Sequence, residues 1–144
     1  MTLTEEAILA YIAYIPYLAL VTRVWMGTNV MIHGYPKLKN IKQTAQETKQ
    51  TLGIPVGATY TATILEFFGG LFLIVGLIVP VVALFFAIFM LANVVMKKRK
   101  MNAAYIATNK PSYEIDITYL IISIILIVLG AGALSIDSVV GLLW

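Results

Sequence analysis

Two ionisable residues sit inside long apolar runs and are the first candidates for chemistry. Arg23 interrupts the run from Ala7 to His33, and Glu66 is the one charge between Val56 and Ile78. An unpaired charge near the middle of a membrane helix costs on the order of 2.5–3.5 kcal/mol on insertion scales, so opposite charges at one depth turn toward each other. Arg23 precedes His33 by about ten residues, roughly 15 Å of helix, and Glu66 follows Val56 by a similar length on a helix running the other way. The spacing predicts an Arg23–Glu66 ion pair. On the residues alone it reads equally well as a pin fixing helix packing or as a ligand or proton site. Further polar residues gather toward the same side, among them Asn29, His33, Asn93, Glu114 and Asp116. Asn29 and His33 are four apart and share a helix face. One pocket opening on that side is expected. For His33 an ordinary interfacial histidine is the competing reading. Ala62, Glu66, Gly69, Leu73 and Gly76 trace one narrow face, whose small residues let another backbone approach and place Glu66 in a helix seam.

These side chains need elements to hold them, and the composition says which. Of 144 residues, 60% are hydrophobic and only 12% charged, with a mean hydropathy of +0.92. So small a domain cannot hide that much apolar surface inside itself, so lipid must cover the rest. The chain has no cysteine and one histidine. Disulfides, thiolate metal sites, iron–sulfur clusters and bis-histidine haem ligation are thereby excluded, and no metal site or covalent cofactor is expected.

Apolar runs at about 7–33, 56–78, 81–96 and 115–133 predict an all-α fold: a polytopic membrane protein built as an antiparallel four-transmembrane-helix bundle, one domain over 1–144. Pro16 is expected to bend the first helix. The start carries Glu5 and Glu6 and the apolar run is long, which suits a retained anchor better than a signal peptide. Tyr35 to Gly53 reads as a polar connection, in part an interfacial helix. The third run reaches only about 24 Å before Lys97, so its basic stems snorkel or the helix continues a turn further. Lys37, Lys39, Lys42 and Lys49 fall in the first loop, and Lys97, Lys98, Arg99, Lys100 and Lys110 in the third. The positive-inside tendency places those loops in the cytoplasm and both termini outside the cell membrane. The run Lys97 to Lys100 is then a topology determinant beside anionic headgroups, with no nucleic-acid partner implied. Tyr11, Tyr14, Tyr17, Tyr105, Tyr113, Tyr119 and Trp144 suit interfacial belts.

Arg23, then His33-Gly34 with Lys37-Leu38, then Glu66-Phe67-Phe68-Gly69-Gly70, then Ser135-Ile136-Asp137 resemble, in order and spacing, the DoxX family of small four-helix membrane proteins. The long polar loop and the tetrabasic run depart from its usual pattern. The resemblance implies an association with membrane redox and sulfur metabolism, including a thiosulfate:quinone oxidoreductase membrane subunit, and it adds Lys37 to Arg23, His33 and Glu66 as positions of interest. Two functions follow as expectations. One is a quinone-linked membrane component whose pocket, in the cytoplasmic half, is lined by Arg23, Asn29, His33, Lys37, Glu66 and Asn93. It holds a quinone headgroup while a partner oxidase or oxidoreductase subunit handles electrons. The other is an accessory or assembly subunit of a larger respiratory membrane complex without its own catalysis. A small transporter or proton path ranks third, since no inverted repeat is visible.

Overall fold

A computed structural model describes residues 3–107 and 109–142; the expectation for Trp144 lies outside them. Among the described residues the fold is all-helical, with a single isolated bridge between Ala104 and Ser112. Helix α1 runs over Leu3–Lys39 and continues through Pro16 and Pro36. Glu5 and Glu6 in its first turn and Lys37 and Lys39 in its last oppose the helix dipole. It extends six residues past His33, so about 9 Å of helix lies where the polar loop was expected.

The rest of that region is helical too. Helix α2 covers Ile41–Leu52, and Gly53 ends it at φ +64, its N–H donating to the Lys49 carbonyl. Helix α3 spans Val56–Val75, with a π-helical turn at Leu65–Gly69. Gly76 stops it at φ +73, and the Leu77 N–H reaches back to the Phe72 carbonyl in a Schellman closure. Helix α4, Val79–Lys100, starts with Pro80 in its first turn, where a missing N–H costs nothing, and runs through the basic residues as far as Lys100. Helix α5 covers Glu114–Leu129 and a short α6 covers Ile136–Val139. Helices α1, α3 and α4 are long and apolar enough to cross a membrane. At 16 residues α5 is about 24 Å long, short of a bilayer core of roughly 30 Å, and it ends at Leu129, four residues before the predicted limit.

Glycines set the register between α1 and α3. A Cβ on Gly27 would lie 2.6 Å from the Gly70 carbonyl oxygen, and one on Gly34 would lie 2.9 Å from the Glu66 Cβ. The two backbones therefore touch, antiparallel, at two levels one heptad apart on α1. Gly69, on the neighbouring face, meets the Phe86 ring of α4. The buried core follows this line, through Met26, Val30, Leu73, Val82, Phe86 and Leu126. Tyr119 belongs to it as well: it is buried, with its ring 6.1 Å from that of Trp25, and is no interfacial anchor. Tyr11, Tyr14 and Tyr17 are exposed as an aromatic belt requires, and Tyr113 packs edge-on to Tyr105 beneath the Lys98 ammonium.

Candidate functional site

The helix register decides which charges meet. With Gly27 opposite Gly70 and Gly34 opposite Glu66, Arg23 and Glu66 differ in depth by about eleven residues of α1, roughly 16 Å. The expected Arg23–Glu66 ion pair is therefore not formed. Glu66 is 7% exposed, and both its oxygens accept from Lys37 Nζ, at 2.7 and 2.6 Å. Lys37 lies one turn beyond Gly34, and because α1 remains helical there its stem reaches back along the seam to the carboxylate. The π-helical turn begins beside this carboxylate, where it opens the backbone that Gly34 approaches.

Arg23 is 1% exposed and serves the other end of the molecule. One guanidinium nitrogen donates to the Leu73 and Ile74 carbonyls at 3.0 and 2.6 Å, and the other donates to the Leu134 carbonyl. Leu73 and Ile74 lie in the last turn of α3, where no N–H four residues on reaches their carbonyls, and a planar fork of donors is the side chain that satisfies several at once. Asp137 makes the complementary contact. Its oxygens accept from the Ile78 and Val79 N–H groups at 2.7 and 3.1 Å, capping α4, while its own N–H donates to the Gly76 carbonyl. The tight turn between α3 and α4 is thus clasped from both sides. Ile78 is held at φ +45, a region β-branched residues avoid.

Toward the basic end the helices part around a cavity of about 900 Å³. His33 and Lys37 from α1, Glu66 from α3 and Asn93 from α4 all line it. Arg23 and Asn29 do not: Asn29 donates to the Trp25 carbonyl on its own helix. Four of the six candidate residues converge.

Three contributions were not legible in the sequence. Lys97 Nζ lies 2.5 Å from Asp116 Oδ2 and 3.1 Å from the Ser112 carbonyl, so a second lysine–carboxylate pair stands in the cavity wall. Asp116 was visible as one of a polar group, but its partner was not, because Lys97 read as part of a surface run. Thr59 is 8% exposed, and its hydroxyl has no hydrogen-bond partner although the residue lines the cavity. Thr44, Thr48 and Leu52 of α2 cover the end nearest the loops. A buried hydroxyl without a partner costs roughly 1–3 kcal/mol, which a ligand atom accepting or donating there recovers.

Apolar helices packed about a partly charged interior define an integral membrane protein. The DoxX family model matches residues 18–98, more than half of the chain and every candidate position from Arg23 to Asn93, and the chain belongs to that family. No curated protein and no solved structure matches it.

Proposed function

We propose that this protein is a quinone-linked component of a membrane redox system, with the cavity as the headgroup site. The observation that carries the reading is an apolar cavity with the Lys37–Glu66 pair in its wall and His33 beside it. A quinone requires an apolar slot for its ring and tail, a donor for each carbonyl oxygen, and proton carriers, because two protons join those oxygens as two electrons arrive. Lys37 supplies an ammonium donor, and Glu66 and His33 are groups able to carry protons. The electrons come from a partner oxidoreductase subunit. Fluorescence or calorimetric titration with a soluble quinone analogue tests this. Saturable binding is expected in the wild type and loss of at least about tenfold in affinity, some 1.4 kcal/mol, in Glu66→Gln. Equal affinities in the two proteins reject the reading.

The same proposal includes an orientation. Every Lys and Arg except Arg23 lies toward the end of the bundle that holds the cavity, which favours that end as cytoplasmic, both termini as external and Glu114–Leu129 as a fourth crossing.

One observation favours an accessory role instead of, or beside, the redox one. From Ile8 to Ile15 every residue of α1 is exposed, including Ile8, Leu9, Tyr11, Ile12, Tyr14 and Ile15. With 37 residues, about 55 Å, α1 exceeds what one crossing requires, and this apolar stretch stands clear of the helices that pack its other half. An assembly role predicts that polar substitutions there abolish co-purification with oxidase or oxidoreductase subunits and leave quinone affinity unchanged.

A further inference from the structure

The cavity is open toward the outer surface between two helices. Helices α3 and α4 pack closely where they are joined, through Gly69 against Phe86 and the clasped turn at Gly76. Toward the basic end they diverge: the stretch Val56–Ile64 makes no substantial contact with α4. Facing residues on both sides of this gap line the cavity and are also exposed on the outer surface. These are Ala58 and Thr61 on α3, and Phe85, Ile88 and Ala92 on α4. The gap therefore runs from the cavity to the surface that faces acyl chains. The aqueous end is treated differently, for α2 lies across it and the Lys100 ammonium donates to the Leu52 carbonyl at its end, 2.7 Å away.

Resting on the quinone reading above, we infer that the α3–α4 gap is a tail subsite: the ligand enters sideways from the bilayer, and its isoprenoid chain stays in the gap while its ring lies against the lysine–carboxylate pairs. The two regions match the two parts of such an amphiphile. The gap wall is built of Ala, Phe, Ile and one Thr, with no charge. The charged groups Lys37, Glu66, Lys97 and Asp116 are all set on the cavity wall away from it, on α1, the middle of α3, the end of α4 and α5. Small Ala side chains on facing helices leave the width that a branched chain fills. A water-soluble substrate would have no use for an apolar slot facing lipid and would have to pass α2.

The tail makes the test. Quinones with one headgroup and either no isoprenoid unit or several are titrated into the purified protein in one detergent, for the wild type, Ala58→Trp and Ala92→Trp. Val128→Trp, on the fully lipid-facing side of α5, serves as a control. Comparison of ratios within one detergent cancels partitioning of the tail into micelles. The wild type and the control bind the long-tailed quinone several-fold more tightly than the tailless one. In each gap-filling variant the two quinones bind with roughly equal affinity, while the tailless quinone binds as in the wild type. A long-to-short ratio unchanged in both variants overturns the tail subsite and leaves the headgroup reading intact. Failure of the tailless quinone to bind the wild type saturably removes the quinone reading itself, and this inference with it. Two variants from opposite walls guard against one of them failing to fold.

Discussion

Lys37 and Glu66 illustrate how much a buried carboxylate depends on a single partner. The Lys37 side chain is 43% exposed and that of Glu66 is 9% exposed. Removal of the ammonium in Lys37→Met leaves a carboxylate with little water and no counter-charge, at a cost of about 1–3 kcal/mol. Thermal unfolding in detergent is expected to show that loss, and Lys37→Met combined with Glu66→Gln is expected to recover most of it, since the pair then vanishes together. Arg23 behaves differently. Lysine in its place keeps the charge but cannot span the Leu73, Ile74 and Leu134 carbonyls, so Arg23→Lys lowers the melting temperature while quinone affinity stays at the wild-type value. The sequence displayed both charges and suggested that they pair. It could not display the carbonyls at the end of α3, which are invisible to any reading by residue type, and these are what Arg23 binds.

Among the elements, the glycines decide the geometry, and two of them carry opposite predictions. Gly76 has φ +73, and a Cβ there would lie 2.6 Å from Ser135 and 2.7 Å from the Arg23 guanidinium, so Gly76→Ala is expected to destabilise by about 2 kcal/mol or more. A Cβ on Gly57 meets nothing within 4 Å in the first turn of α3, and Gly57→Ala is expected to stabilise by about 0.5 kcal/mol. Denaturation midpoints for the two variants give both signs in one experiment; a shift in the same direction for both contradicts the packing described. Helix existence was legible from hydropathy alone for α1, α3, α4 and α5. The structure differs from the hydropathy pattern in depth. The apolar run ends at His33 and is followed by Gly34 and Pro36, both poor helix formers, yet Gly34 packs directly on α3 and α1 continues to Lys39. That displacement carried Arg23 out of reach of Glu66 and brought Lys37 in. Gly27 and Gly34 facing Gly70 and Glu66 hold the register that would have corrected it. The π-helical turn leaves no mark in residue type and was beyond sequence reasoning.

For the molecule as a whole, the two ends have different physical characters. At one, Arg23, Asp137 and Ser135 close the α3–α4 turn with hydrogen bonds to backbone groups, and at the other the helices separate about a cavity with ion pairs in its walls. Orientation is accessible because the chain has no cysteine of its own. Single cysteines at Lys42, Lys98 and Val140, treated with a membrane-impermeant thiol reagent on intact cells, are expected to label at Val140 alone. Labelling at none of the three would mean that Glu114–Leu129 does not cross. Photolabelling with an azidoquinone followed by peptide mapping tests the quinone site directly. Adducts competed by unlabelled quinone are expected on the α1 segment at His33 to Lys37 and on the cavity-facing parts of α3 and α4. Competed adducts confined to the Arg23–Asp137 end, or labelling that excess quinone does not displace, would contradict a quinone site in the cavity.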